Sequence, residues 1–223
     1  MMKIGFLVFD SVTQLDMTGP LQFLSRLPDA DAMTIAKEKR LIETDCPMAI
    51  MPTHGFDDAP SLDMICVPGG FGVVPAIRDA ETIDFVKTQG GNADYVTSVC
   101  TGALILGAAG LLTGKRATTH WAYTSLLPLF GATHAPGRVV RDGNTFTGGG
   151  VTAGIDFALT VAAALHGDDM AQTMQLGLEY DPHPPFNAGT PDTAPSTILD
   201  QLNDRYEAPL IETKAALEAA LNQ

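Results

Sequence analysis

The sequence is poor in positive charge: 13 Lys and Arg stand against 26 Asp and Glu, a net charge of −13. A field of that sign repels phosphate backbones and anionic lipid surfaces, so neither nucleic acid nor a membrane is an expected partner. The one basic run, "KEKR" at Lys37–Arg40, has the look of a solvated hairpin. Cysteine is scarce as well, with three in all and no CxxC. An odd count without a disulfide framework predicts free thiols in a reducing cytoplasm. The start, "MMKIGFLVFD", lacks the longer apolar region and small-residue cleavage site of a signal peptide. Later apolar stretches are broken by Gly, Thr or charge, which argues against a membrane-spanning helix. Nucleotide loops are missing too, since there is no GxGxxG and no GK[ST]. The five histidines, at 54, 120, 134, 166 and 183, show no HExxH or other zinc spacing, so no metal site is expected.

What is present is a folded composition, 45% hydrophobic against 17% charged. A length of 223 residues fits one domain over 1–223. Strand and helix patterns alternate, which predicts an α/β fold with a mostly parallel sheet and helices on both faces. Strands are expected at Lys3–Phe9, Met33–Glu38, Met64–Val67, Tyr95–Val99 and Ala117–Thr119, with a hairpin at Arg138–Arg141 and Thr145–Thr147. Helices are expected at Pro20–Leu27, Glu81–Gln89, Thr101–Ala109, Trp121–Leu129, Val151–His166, Asp168–Tyr180, Thr197–Arg205 and Pro209–Leu221. In the first of these, Thr18 or Gly19 would cap the helix and Pro20 would sit in its first turn. The segment "DPHPPFNAGTPDTAP", Asp181–Pro195, is a stiff proline-rich loop or linker ahead of C-terminal helices.

Ligands of open α/β sheets bind beyond the carboxyl ends of the strands. Three strand ends here carry unusual residues: "QLDMTGP", "PGGFG" and "CTGA". If those strands are neighbours, their loops share one pocket. Cys100, at a strand-to-helix corner, resembles a nucleophile elbow, where helix amides favour a thiolate. Free cysteines are also commonly inert and buried, which suits Cys66, and Cys46, before Pro47, is expected to be inert as well. Asp16 is either a turn or cap aspartate or a partly desolvated acid beside the thiol. The amides of Gly70 and Thr101 could receive developing negative charge, although a plain glycine turn is the simpler account of "PGGFG". His120, 20 residues after Cys100, permits a Cys–His pair or a structural histidine. Gly150, in "TGGGVTAG", suits close backbone packing near the pocket or substrate entry.

Together, "PGGFG", "YVTSVCTGALILGAAGLLTGKRATTHW" and "TGGGVTAGIDFALTVAAAL" resemble the ThiJ/PfpI superfamily of class I glutamine-amidotransferase-like folds. "QLDMTGP" and "LEYDPHPPFNAGTP" resemble its isocyanide-hydrating branch. The resemblance implies a flavodoxin-like sandwich, a homodimer, Cys100 as nucleophile, Asp16 as acid/base and Thr101 as a site residue. It implies a small isocyanide as substrate, hydrated to an N-substituted formamide through a cysteine thioimidate without metal or organic cofactor. Much of the superfamily has glutamate where Asp16 stands, which removes support for glyoxalase or deglycase activity. Two alternatives remain. "SVCTGA…ATTHW" also resembles the ligand-sensing half of AraC-type regulators, although the stretch after Tyr180 is acidic and has no helix-turn-helix pattern. A sensor that signals by oxidation of Cys100 is the other.

Overall fold

A computed structural model describes residues 1–222. Strand β1 (Met2–Leu7) is followed by helix α1 (Gln14–Leu24) and β2 (Ala30–Ile35). Short strands β3 (Ile42–Glu43) and β4 (Ala49–Ile50) precede β5 (Met64–Val67). Helices α2 (Val73–Arg78) and α3 (Ala80–Asn92) lead to β6 (Tyr95–Val99) and α4 (Gly102–Ala108). Next come β7 (Arg116–Ala117), a 3-10 helix (Trp121–Phe130) and β8 (Thr133–His134). The hairpin β9 (Val139–Asp142) and β10 (Thr145–Gly148) precedes helices α5 (Ala153–His166), α6 (Asp168–Gly177) and α7 (Ser196–Leu221).

The main sheet has the order β2-β1-β5-β6-β10-β9, and only β9 runs antiparallel. The expected mostly parallel α/β sandwich of flavodoxin-like type is therefore what forms. Side chains alternate between the faces of each strand. Phe6 and Cys66 meet Met17, Phe146 and Phe157 in the layer covered by α1 and α5. Leu7, Ile65 and Val67 meet Leu104, Leu127 and Leu217 in the layer of α4, the 3-10 helix and α7. Both faces are covered, which is why the strands are continuous apolar runs. Each such side chain contributes about 1.5–3 kcal/mol by leaving water. The order also makes β1, β5 and β6 neighbours, so their three C-terminal loops do converge.

Several elements depart from the sequence expectations. Helix α1 starts at Gln14, not Pro20, so Pro20 lies inside it and Asp16 in its first turn. Packing overrides propensity here: a Cβ on Gly154 of α5 would sit 3.1 Å from the Pro20 ring, so the two helices touch closely. Residues 197–221 form one helix, not two, with Pro209 inside. Helix α2, only six residues long, was not expected. Strand β7 pairs with β8 outside the main sheet, so His120 does not follow a neighbour of β6. The "KEKR" run is no hairpin, since β3 pairs with β4 and not with β2. Instead Lys37 pairs with Asp79 and Glu81 at 2.8 and 2.9 Å, Lys39 with Asp58 at 3.1 Å, and Arg40 with Asp10. These exposed pairs are screened by water and add little to stability.

Candidate active site

At Cys100 the chain leaves β6 with φ +57, a left-handed conformation rare for a residue with a side chain. Such a residue costs roughly 1–3 kcal/mol and persists only where its surroundings hold it. They do so here. The Cys100 N–H donates to the carbonyls of Gly148 and Gly149 at 3.1 and 2.9 Å. Its carbonyl accepts from Thr119 Oγ1 at 2.8 Å. Gly102 follows because any Cβ there would overlap the Val67 carbonyl.

Asp16 is fully buried, and it caps no helix: Thr13 holds the N-cap position of α1. Its Oδ2 accepts from Gly69 N–H at 2.9 Å, while Oδ1 has no hydrogen-bond partner among the described residues. Gly69 must be glycine, since a Cβ would lie 2.5 Å from both the amide nitrogen and Oγ1 of Thr101. Gly70 N–H, anticipated as a free donor, is taken by Thr101 Oγ1 at 3.0 Å. The "PGGFG" amides thus hold Asp16 and Thr101 in place and leave no free oxyanion donor at Gly70. The amides that face the Cys100 sulfur are those of Thr101 and Val151. Val151 was missed in the sequence. Its signal was the glycine run before α5, a second helix entrance beside the same strand end.

Asp16 lies against Cys100, and the charge of the acid acts on the thiol. Burial pushes Asp16 from 3.8 up to about 7, against the pull of the Gly69 amide. Burial, and then the Asp16 carboxylate, hold the Cys100 thiol far above its ordinary value, against the amides of Val151 and Thr101. The elbow was expected to lower this pKa. Desolvation by the surrounding core outweighs the helix-end amides. Cys66 is raised to about 12 by burial alone for the most part, in keeping with an inert thiol. Cys46 is exposed.

In front of Cys100 is a cavity of about 280 Å³, walled by Thr101, His120, Tyr123, Val151 and Tyr206, with Asp45 and Arg205 also on its lining. His120 reaches it because Thr118 and Thr119 are pinned across the sheet end, to Thr147 Oγ1 and the Cys100 carbonyl. Burial lowers His120 to about 4, so it is neutral near pH 7. Its Nδ1 accepts from Ala122 N–H at 3.3 Å, which leaves the proton on Nε2. Gly150 makes room for this ring, since a Cβ there would lie 2.8 Å from His120 Cδ2. Tyr206, from α7, closes on the same ring with centroids 5.2 Å apart. Tyr206 and Arg205 were also missed, and only an aromatic among charges in "NDRYE" marked them. Among the described residues, no group of three or more His, Cys, Asp or Glu is placed to hold a metal ion.

An α/β sandwich with a cysteine at a strained strand-to-helix corner and a buried carboxyl behind it defines a class of thiol-bearing pocket proteins. Residues 2–164 match the DJ-1/PfpI family, and the chain belongs to it. The chain is 54% identical to the isonitrile hydratase of Pseudomonas putida over 97% of its own length and 94% of that protein's. It superposes on the crystal structure of a ThiJ/PfpI family protein from Pseudomonas syringae with a TM-score of 0.95 and 41% identity, covering 97% of this chain and 90% of the other. It is 28% identical to the HTH-type transcriptional regulator GbdR of Pseudomonas aeruginosa over 80% of this chain, but spans only 51% of that regulator.

Proposed function

We propose that this protein is an isocyanide hydratase, converting R–N≡C and water to an N-substituted formamide, with Cys100 as nucleophile and Asp16 as proton carrier. Identity to the Pseudomonas putida isonitrile hydratase over nearly the whole chain supports the reaction, and the sensor alternatives are not favoured. The observation that carries the mechanism is the Asp16 carboxyl, buried against Cys100 with one oxygen unpartnered.

An isocyanide carbon must gain both a nucleophile and a proton. The Cys100 sulfur adds to that carbon while Asp16 delivers the proton shared by the pair, giving the thioimidate S–CH=N–R. The carboxylate then takes a proton from water. Hydroxide adds to the same carbon, Asp16 passes its proton to the nitrogen, and the tetrahedral adduct expels the sulfur as its hydroxyl proton returns to the pair. The formamide leaves, and the pair again holds one proton. Amides of Thr101 and Val151 stabilise charge on sulfur as it forms and departs. Neutral His120 borders the cavity without serving as the base. The protein acts as a homodimer, a part of this reading that rests on the family resemblance and is checked by light scattering.

The test is incubation with cyclohexyl isocyanide while formamide is followed. Wild type, Cys46→Ala and Cys66→Ser form it. Cys100→Ala, folded, is expected to show no turnover above the uncatalysed rate, and normal turnover in that variant would remove the thiol from the mechanism.

A further inference from the structure

A second chamber, of about 440 Å³, lies between α2 and α7. It shares Gly70, Phe71, Thr101 and Tyr123 with the cavity in front of Cys100, so the two adjoin along a common wall. Val73, Val74 and Pro75 of α2 face Ala208 and Pro209 of α7 across it. Among the described residues the one charged group on its lining is Glu212, which accepts from Arg78 at 3.0 Å. That ion pair also links the two helices that form the chamber.

An isocyanide is linear from its carbon through nitrogen to the first atom of its substituent. With the carbon at the Cys100 sulfur, the substituent must point straight away from the acid. Asp16 is buried behind the thiol, and His120, Gly150 and Val151 crowd another side. Tyr123 and Phe71, which line both spaces, lie between the thiol cavity and the chamber. We propose that the chamber between α2 and α7 receives the substituent on the isocyanide nitrogen, and that Ala208 and Pro209 set how large an apolar group is accepted. The proposal rests on the hydration reading and adds where the substituent is held and which residues limit its size.

Each methylene buried in such a chamber is worth about a fourfold gain in binding. Wild type therefore has a higher kcat/KM for cyclohexyl isocyanide than for methyl isocyanide. Ala208 is exposed on α7, so a larger side chain fills the chamber without entering the core. In Ala208→Phe the ratio of kcat/KM, cyclohexyl over methyl, is expected to fall about 10-fold or more, the range that misfit of a few carbons produces in an apolar pocket. Ala208→Leu should lower the ratio by less, and it decides the matter by the same ratio if the phenyl variant loses its helical circular dichroism. A wild type that hydrates both compounds, with the ratio in a folded Ala208 variant unchanged within about twofold, overturns the chamber. A wild type that hydrates neither overturns the hydration reading itself.

Discussion

The buried thiol and the buried carboxyl are best treated as one titrating unit. At low pH the pair carries two protons. The first leaves near pH 7, where Asp16 titrates, and the second leaves far above, because Cys100 is held high by burial and by the ionised acid. In the proposed mechanism, addition across the isocyanide carbon uses a single shared proton, which makes the one-proton form the reactive one. We expect kcat/KM for cyclohexyl isocyanide to rise with pH through about 7 and then stay level, as initial rates between pH 5 and 9 would record. A profile that falls through pH 7 would instead mean that the doubly protonated pair is the active species. At this scale the sequence exposed what is local. The corner at Cys100 and the acid in "QLDMTG" follow from strand and helix patterns within ten residues of each. The amide of Val151 and the ring of Tyr206 do not, because they meet the thiol only after the chain has crossed the sheet and returned.

Helix α7 shows how an element can be misjudged from its residues. Proline lacks the N–H that a helix interior requires and crowds the carbonyl four residues back, here that of Arg205. A break at Pro209 was therefore the natural expectation. The structure keeps one helix of 26 residues because α7 packs along α2, α4 and the 3-10 helix, burying Thr213, Ala216 and Leu217 beyond the proline. Pro209→Ala should restore the missing bond. Proline is about 3 kcal/mol worse than alanine inside a helix, so we expect a gain of about 1–3 kcal/mol in urea unfolding. No gain would show that packing of the proline ring offsets the whole backbone cost. Pro20 in α1 is a parallel case, held by its contact with Gly154. The parallel strands were legible because fully buried runs such as "MICV" admit few other readings. Short α2 and the paired β7 and β8 were not, since two to six residues carry no periodicity.

Over the whole molecule, the acid proposed to carry the proton works against the fold. In the unfolded chain Asp16 ionises near 3.8, but in the native state it keeps its proton to about 7. Between those values the unfolded state is the one that sheds the proton, so stability falls as pH rises and then levels off. The full loss is of the order of 4 kcal/mol at one pH step per 1.36 kcal/mol. Asp16→Asn removes it. The variant should match wild type near pH 4 and exceed it above pH 7 by up to about 4 kcal/mol in urea titrations. Equal stabilities across that range would place Asp16 in a far more hydrated setting. The layout of the molecule has a consequence for its descent as well. The thiol corner at Cys100 and the α7 wall at Ala208 lie more than a hundred positions apart in the chain. With the substituent held as proposed, mutation can reshape the wall while the reacting atoms stay fixed, and a lineage can explore new substituents without passing through inactive ancestors.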